Sequence, residues 1–364
     1  MRVLLVDLER SWRGGQSQAL LLLRGLRGRG HTAELIAPAD SALAERAAAA
    51  GIFVHVAAAK DRRWGAARAL RRLLRGGSVD IVHANEAHAL TAAWLARAHK
   101  RAPLVAARRV TFPLSRGYIS LARYRAAARI IAISQAVRER LLAARLDPQC
   151  ITVVADGVEI PPRTSDEQRR SARARWGFTP REQVLALVAP FTAEKGHALL
   201  LDAFSALRRD APQARLLLAG DGPLSPALEA QARAANFADE VRFAGFVEDV
   251  DAVYAAADLF VFPSLSEGAG TSLLSAMAHA LPVAALASGG IKEIIDDGSN
   301  GLLVQETEPA ALAGATASLL TDRARAHRLG EAARETVSAK FSADRMVDAT
   351  LTVFESLTHS DSPM

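Results

Sequence analysis

Short apolar runs rich in Val, Ile and Leu alternate along the chain with longer Ala/Leu/Arg stretches whose apolar positions recur at helical spacing. The runs predict strands at Val3–Val6, Ala33–Ile36, Phe53–Val56, Val79–His83, Leu104–Ala107, Arg129–Ile133 and Ile151–Val154. Helices are expected between them, for example over Gln16–Arg27, Ala66–Arg75 and Gln135–Arg145. A second series gives strands at Val184–Val188, Ala214–Leu218, Val241–Phe243, Leu259–Phe262 and Val283–Ala285, with helices over Ala198–Arg208, Pro226–Ala235 and Ser272–Ala280. Beyond about residue 305 the pattern is mostly helical. Strand–helix–strand alternation implies parallel sheets covered by helices on both faces. The pair Pro161-Pro162 interrupts it, since consecutive prolines stop regular pairing.

The expected fold class is therefore α/β, with two doubly wound parallel-sheet, Rossmann-like domains facing a central cleft. The expected boundaries are 1–160 for the first domain, 161–180 for a linker and 181–340 for the second. A C-terminal helix and tail over 341–364 would cross back to the first domain. Ligands of such sheets sit beyond the carboxyl ends of the strands.

Composition narrows the function classes. The chain has 364 residues, half of them apolar and 23% charged, which excludes disorder and low-complexity structure as the main state. One cysteine, Cys150, leaves no intrachain disulfide and no Cys-rich metal site. No apolar run approaches the ~20 residues that span a bilayer. Asp7 and Glu9 follow Val3–Val6 at once, so the start reads as a first strand rather than a signal peptide. Charge is unevenly spread. Residues 1–160 hold 26 Lys and Arg against 12 Asp and Glu, net +14, and the remainder is net −8. A basic first half suits nucleic acid, anionic lipid or a phosphorylated substrate, or else reflects solvated arginines.

The stretch richest in chemistry runs from Phe262 to Val283. A strand ends at Phe262, a loop carries Glu267, and Gly268, Ala269 and Gly270 open a helix at Thr271. Free N–H groups at a helix start suit an anion, above all a diphosphate, and glycine permits close approach. Glu267 could accept hydrogen bonds from sugar hydroxyls, or simply favour the helix dipole.

This stretch resembles the Glu-Gly-Phe-Gly loop, Glu-Ala-Met-Ala helix end and Pro-Val strand of the retaining GT-B glycosyltransferases of family 4. Other features line up in order: Gly14-Gly15, Ile130-Ile-Ala-Ile-Ser134, Val153-Val-Ala-Asp-Gly-Val-Glu159, Glu194-Lys-Gly196, Gly220-Asp-Gly-Pro223, Phe243-Ala-Gly-Phe246, Ala257-Asp-Leu259 and Gly289-Gly-Ile-Lys-Glu293. The resemblance covers residues 1 to about 355. It implies a hexosyltransferase moving a sugar from a nucleoside-diphosphate sugar to a glycan or lipid-linked acceptor, with retention and without a metal. It implies catalytic roles for Glu267 and Lys195, and donor contacts from Gly14, Gly15, Gly268, Ala269, Gly270, Thr271, Ser275 and Glu293. His83, Arg108 and Arg109 are expected to touch the acceptor or the donor sugar. The setting implied is bacterial surface-polysaccharide or lipopolysaccharide synthesis, cytoplasmic and peripheral on the inner face of the membrane.

Four positions depart from the family pattern. Ala189-Pro190 replaces Gly-Arg, Ser275 replaces the second Glu of the loop-helix motif, and Ala269 replaces an aromatic. Arg108-Arg109, within Ala107-Arg-Arg-Val-Thr-Phe-Pro113, stands where many members have His, a variant familiar from surface-polysaccharide members. Pro190 and Ser275 motivate an alternative: a catalytically impaired GT-B scaffold or partner subunit. A GT-B epimerase is a further alternative, against which the Glu-Gly-x-Gly loop and the basic first half weigh.

Other signals point elsewhere. Asp249-Val-Asp251 matches a metal motif in spacing but opens a helix, where acids favour the dipole. His83 and His88 lack the clustering of a zinc site. No Gly-x-Gly-x-x-Gly follows the first strand, and no nucleophile elbow or kinase set is present. The basic stretch Lys60–Arg75, with Trp64, Leu70, Leu73 and Leu74, reads as a core-facing stripe or a membrane-surface contact. Arg116–Arg129, with Tyr118 and Tyr124, adds to the second reading. No nucleic-acid-binding module is present.

Overall fold

The computed structural model describes residues 1–57, 61–114 and 117–358. Lys60, Arg116 and the tail 359–364 lie outside the described residues. The chain divides into two compact units, Met1–Gly157 with Ala343 onward, and Val158–Ser342.

The first unit holds a seven-stranded parallel sheet. Its strands are β1 (Arg2–Val6), β2 (Thr32–Pro38), β3 (Val54–Ala57), β4 (Ile81–Ala84), β5 (Leu104–Arg108), β6 (Arg129–Ala132) and β7 (Ile151–Val153). They lie in the order β3-β2-β1-β4-β5-β6-β7. Strands covered on both faces should be apolar throughout. Val3 to Val6 and Ile81 to Ala84 are accordingly all buried. Helix Gly14–Gly28 returns over the sheet, burying Leu22, Leu23 and Leu26. The last described helix, Ala343–Thr358, packs on it, and Arg29 pairs with both Asp344 and Asp348 across that seam. Helix starts are capped where the sequence supplies a short acceptor. Asp61 caps the helix over Arg62–Arg75, and Ser134 caps the one over Gln135–Ala143. In the basic helix over Arg62–Arg75, Leu70 and Leu74 face the core while Trp64 is 45% exposed. Tyr124 is buried.

The second unit holds a six-stranded parallel sheet. Its strands are β8 (Gln183–Val188), β9 (Ala214–Ala219), β10 (Val241–Gly245), β11 (Leu259–Phe262), β12 (Val283–Leu286) and β13 (Leu302–Val304), in the order β10-β9-β8-β11-β12-β13. The stretch 161–180, read from sequence as a linker, holds a helix over Asp166–Arg175 started by a capping box of Ser165 and Gln168. Asp258 ties that helix to this unit by bonding both Arg169 and Arg173.

In each sheet the chain runs outward in both directions from a pair of central strands. Those pairs are β1 and β4 in the first sheet and β8 and β11 in the second. Connections leave the two strands of such a pair in opposite directions, which opens a crevice beyond their carboxyl ends. The loops after β8 and β11 carry Lys195 and Glu267; those after β1 and β4 carry Asp7 and Asn85.

Among the described residues no helix is long and apolar enough to cross a membrane.

Candidate active site

Two loops build the site in the second unit. After β8 the chain passes Ala189 and Pro190, makes one short turn over Ala193–Lys195, and enters the helix His197–Leu207 through Gly196. After β11 it passes Pro263 to Ala269 and enters the helix Thr271–Ala278 through Gly270. Both entry glycines have positive φ, 69° at Gly196 and 70° at Gly270. Neither helix has a side-chain cap. Their first N–H groups are therefore left to bond something else. A Cβ on Gly196 would lie 2.0 Å from the Pro263 carbonyl oxygen, so the two loops pack directly against each other and only glycine fits at that point.

The charged groups meet between these loops. Lys195 Nζ donates to Glu267 Oε2 at 2.6 Å. Ser264 Oγ donates to the same oxygen at 3.1 Å, and the Gly268 N–H donates to Oε1 at 3.2 Å. Glu267 is thereby held in one orientation from three sides. Its backbone is held too. The Leu265 N–H donates to the Glu194 carbonyl at 2.8 Å, and the Gly290 N–H donates to the Glu267 carbonyl at 3.2 Å. Ser288 Oγ donates to the Ser264 carbonyl at 2.5 Å. Loops after β8, β11 and β12 thus form one hydrogen-bonded platform. It presents an ammonium, a carboxylate and two open helix starts, which suits a ligand carrying both phosphate charge and hydroxyl groups.

The remaining residues singled out in this unit divide. Ala269 is buried, and Thr271 and Ser275 are half-buried along the helix Thr271–Ala278. Glu293 lies exposed on the short helix Ile291–Ile294. Pro190 precedes buried Phe191, whose N–H donates to the Asp221 carbonyl at 2.7 Å, so the backbone after β8 is fixed without an arginine. Asp249 and Asp251 are both exposed. Asp251 Oδ1 lies 3.5 Å from His279 Nε2, behind the helix that carries Ser275.

In the first unit Gly14 and Gly15 open the helix Gly14–Gly28, and Arg109 stands beside them. Arg109 pairs with Asp156 and donates to Asn85 Oδ1 at 3.3 Å. Arg108 is buried and turns back to the Phe112 carbonyl at 2.5 Å. His83 corrects the expectation placed on it. It is 1% exposed, its ring packs edge-on against Phe354 at 5.7 Å, and neither ring nitrogen has a partner. Burial, with the charge of Arg109, pushes its pKa down to about 3, so it is a neutral core side chain with no surface to offer a substrate.

Sequence reasoning missed two groupings. The first is Asp7, Asn85 and Asp156 around Arg109, three polar side chains buried at strand ends. The second is Glu9, Glu86 and His88, whose ligand-capable atoms lie within 4.8 Å of one another. Glu86 already accepts from the His88 and Ala89 N–H groups as the cap of helix Ala87–Leu95, and Arg62 lies 3.8 Å from Glu9.

Residues 12–160 match the family profile described as Glycosyltransferase Family 4, and residues 168–336 match that described as Glycosyl transferases group 1. The chain belongs to glycosyltransferase family 4. It is 33% identical over 251 residues to alpha-maltose-1-phosphate synthase of Mycolicibacterium smegmatis, covering 63% of each chain. It is 34% identical over 187 residues to the GDP-mannose-dependent alpha-(1-6)-phosphatidylinositol monomannoside mannosyltransferase of Mycobacterium tuberculosis, covering 49% of this chain and 48% of that one. The matches thus span only about half to three fifths of the length of these curated relatives. HepE of Anabaena, solved in complex with UDP and glucose, superposes with a TM-score of 0.85 at 24% identity, over 98% of this chain and 100% of that one. The family 4 chain therefore has the GT-B fold, as the order of its motifs implied.

Proposed function

We propose that this family 4 chain transfers a hexosyl group from a nucleoside-diphosphate sugar to a glycan or lipid-linked acceptor, with retention, in bacterial surface-polysaccharide or lipopolysaccharide synthesis. The carrying observation is the platform on which Lys195, Glu267 and two uncapped helix starts come together. The diphosphate lies across the starts of the helices His197–Leu207 and Thr271–Ala278, with Lys195 as its point charge. The N–H groups of Gly270 and Thr271 complete its cradle, beside Gly268 and Ala269. Glu267 accepts from hydroxyls of the donor sugar. Ser275 and Glu293 belong to the nucleotide end, and Gly14, Gly15 and Arg109 are further candidate donor or acceptor contacts.

As the glycosidic bond breaks, negative charge grows on the departing diphosphate. Fixed N–H dipoles and the ammonium meet that charge without reorganising, which is the largest lever such a site has on rate. They carry the role that a divalent ion plays in other transferases, so chelation with EDTA should leave turnover intact. A strict requirement for added divalent ion would count against the proposal.

The setting is the inner face of the cytoplasmic membrane. In its favour stand the net +14 of residues 1–160 and the exposed Trp64, Phe112 and Ile119 in the first unit. A relative that acts on phosphatidylinositol monomannoside favours a lipid-linked acceptor.

A second reading, a scaffold without turnover, is favoured by Pro190 and Ser275, which remove a cation and a carboxylate from the family's donor set. Calorimetric titration with UDP-, GDP- and ADP-sugars separates the two. Binding of one nucleotide class supports the enzyme. No binding to the wild type, with binding created by Pro190→Arg together with Ser275→Glu, supports the scaffold.

A further inference from the structure

Ser264 follows β11 by two residues and is 1% exposed. Its hydroxyl lies between two acceptors, Glu267 Oε2 at 3.1 Å and the Glu194 carbonyl at 3.2 Å. A hydroxyl has one proton and serves only one acceptor at a time. The Glu194 carbonyl already accepts from the Leu265 N–H at 2.8 Å. The carboxylate carries charge, and a hydrogen bond to a charged acceptor is the stronger one. The proton therefore goes to Glu267. The backbone that carries the hydroxyl is fixed on both sides of it. The Ser264 carbonyl accepts from Ser288 Oγ at 2.5 Å, and the Leu265 N–H is held by the loop after β8.

Oε2 of Glu267 has a second partner, Lys195 Nζ at 2.6 Å. A ligand competes for that partner, because the phosphate oxygens of a donor draw on the same ammonium. The Ser264 hydroxyl is buried and has no such competitor. The other carboxylate oxygen is less engaged. Oε1 has the Gly268 N–H, at 3.2 Å, as its partner among the described residues. That is the longest of the three bonds to the carboxylate, and it leaves Oε1 lone-pair room for a further donor. A carboxylate anchored through Oε2 offers Oε1 in a fixed direction.

We propose that Ser264 is a positioning residue for transfer: its hydroxyl keeps the Glu267 carboxylate in place when the donor's phosphates draw on Lys195, and Oε1 is the atom that accepts from the donor sugar. This rests on the reading of the chain as a nucleotide-sugar transferase with Glu267 at the sugar. Every group it invokes belongs to the second unit. It divides the platform's work in two. Diphosphate affinity belongs to Lys195 and the two helix starts, and alignment of the sugar to Ser264 acting through Glu267.

The test uses the full chain and a double-mutant cycle. Ser264→Ala removes the donated proton and puts a smaller side chain in the buried position. Turnover should fall by about tenfold, the scale on which small misplacements act, while the calorimetric affinity for the nucleoside diphosphate changes less than about twofold. Ser264→Thr keeps the hydroxyl and should return most of the lost turnover. The cycle pairs Ser264→Ala with Glu267→Ala, whose residual turnover is followed at high enzyme concentration. A hydroxyl that acts only through the carboxylate has nothing to align once the carboxylate is gone. Ser264→Ala should therefore cost no further turnover in the Glu267→Ala background. A hydroxyl that merely holds the loops together would cost the same factor in both backgrounds.

Equal factors in the two backgrounds, unchanged turnover in Ser264→Ala, or a parallel loss of diphosphate affinity overturns the proposal. So does a folded Ser264→Thr no more active than Ser264→Ala. Failure of Ser264→Ala to fold overturns it too, by making the hydroxyl a stability element. A wild type that turns over no nucleotide sugar overturns the transferase reading, and this proposal with it. A wild type that does so, beside any of the other outcomes, overturns this proposal alone.

Discussion

Lys195 and Glu267, 72 residues apart in the chain, meet at 2.6 Å with most of both side chains out of solvent. The ammonium that would meet a phosphate is thus shared with the carboxylate that would meet a sugar. Lys195→Ala should weaken nucleoside-diphosphate binding by about 1–3 kcal/mol, the range for losing a charge-assisted hydrogen bond. Glu267→Gln removes a competitor for the ammonium, so the same calorimetric titration should show affinity kept or raised while turnover drops. Parallel losses of affinity in both variants would mean that Lys195 does not face the phosphates.

Gly196 offers a test of the platform rather than of its charges. Its φ is 69°, and a Cβ there would come within 2.0 Å of the Pro263 carbonyl oxygen. Alanine must therefore push the loop after β8 away from the loop after β11. Gly196→Ala should lower the melting temperature and weaken diphosphate binding together. Calorimetry showing full affinity at a lowered melting temperature would place the ligand elsewhere than between these loops.

Two buried histidines and one carboxyl set opposing pH trends in stability. Burial, with Lys195 adding repulsion, pushes the pKa of His197 down to about 4, and His83 is pushed to about 3. Both are protonated more readily when unfolded, so their contribution is present above about 6.5 and is lost as pH falls toward 4 and 3. Burial pushes the Glu86 carboxyl up to about 7, with Asp7 and Glu9 adding repulsion. Its contribution runs the other way, present below about 4.5 and lost as pH rises through 7. Urea unfolding across pH 4–8 should show stability rising with pH in the acid range, where the depressed histidines act. His197→Leu should flatten that rise, by up to about 3 kcal/mol at 1.36 kcal/mol per pKa unit. Glu86→Gln should steepen it. A pH profile unchanged by either substitution would contradict the assignments.

How much of this was legible beforehand follows from what each residue does locally. Leu259–Phe262 and Val283–Leu286 announce themselves as strands because a doubly covered strand is apolar throughout. Leu302–Val304 was missed, being three residues long and made a strand by its neighbour β12 rather than by its own pattern. The helix Asp166–Arg175 was hidden by its high charge; its apolar face is little more than Ala172, and Asp258 supplies what holds it. Glu267 stands out locally, on a loop beside a glycine-rich helix start, whereas Lys195 is singled out only by the resemblance to family 4. His83 could not be placed, since nothing in a fully apolar strand tells which face a polar residue takes. Asn85 bonds Asp7, Gly15 and Arg109, and Asp156 bonds Arg109, all far away in sequence. The available signal was a shared position, a polar residue just after a buried strand, which identifies candidates but not partners.

The basic first unit makes a prediction of its own. Arg63, Arg68, Arg72 and Arg75 lie on the helix that also exposes Trp64, and all four are exposed. Surface charge of this kind attracts anionic lipid and is screened over ~8–10 Å near physiological ionic strength. The chain should sediment with anionic vesicles and release as salt rises, and replacing Arg68 and Arg75 with Glu should reduce binding several-fold. Equal sedimentation with neutral and anionic vesicles would remove the membrane from the proposed setting.

The separation of enzyme from scaffold falls on Glu267 and Ser275, eight residues apart on one loop and helix. Glu267 is held by Lys195, Ser264 and the Gly268 N–H, an arrangement that fixes a carboxylate toward one ligand position. Ser275 stands on the second turn of the helix Thr271–Ala278, and the buried Tyr254 phenol near it donates to the Ser272 carbonyl at 3.1 Å. A neutral hydroxyl at Ser275 offers a ribose at most one ordinary hydrogen bond. Ser275→Ala should therefore raise the donor KM by no more than about tenfold, the equivalent of one ordinary hydrogen bond at about 0.5–1.5 kcal/mol, and leave kcat in place. Glu267→Ala should remove most of kcat, because it takes away a group whose position the surrounding loops are built to hold. Ser275→Glu reaches further from the helix and brings a charge able to accept from both ribose hydroxyls, so it should lower the donor KM below that of the wild type. Steady-state kinetics of the three variants with the donor found by titration decides the matter. A Glu267→Ala variant with wild-type kcat would take Glu267 out of the reaction, and a Ser275→Glu variant with a raised KM would place the ribose away from this helix.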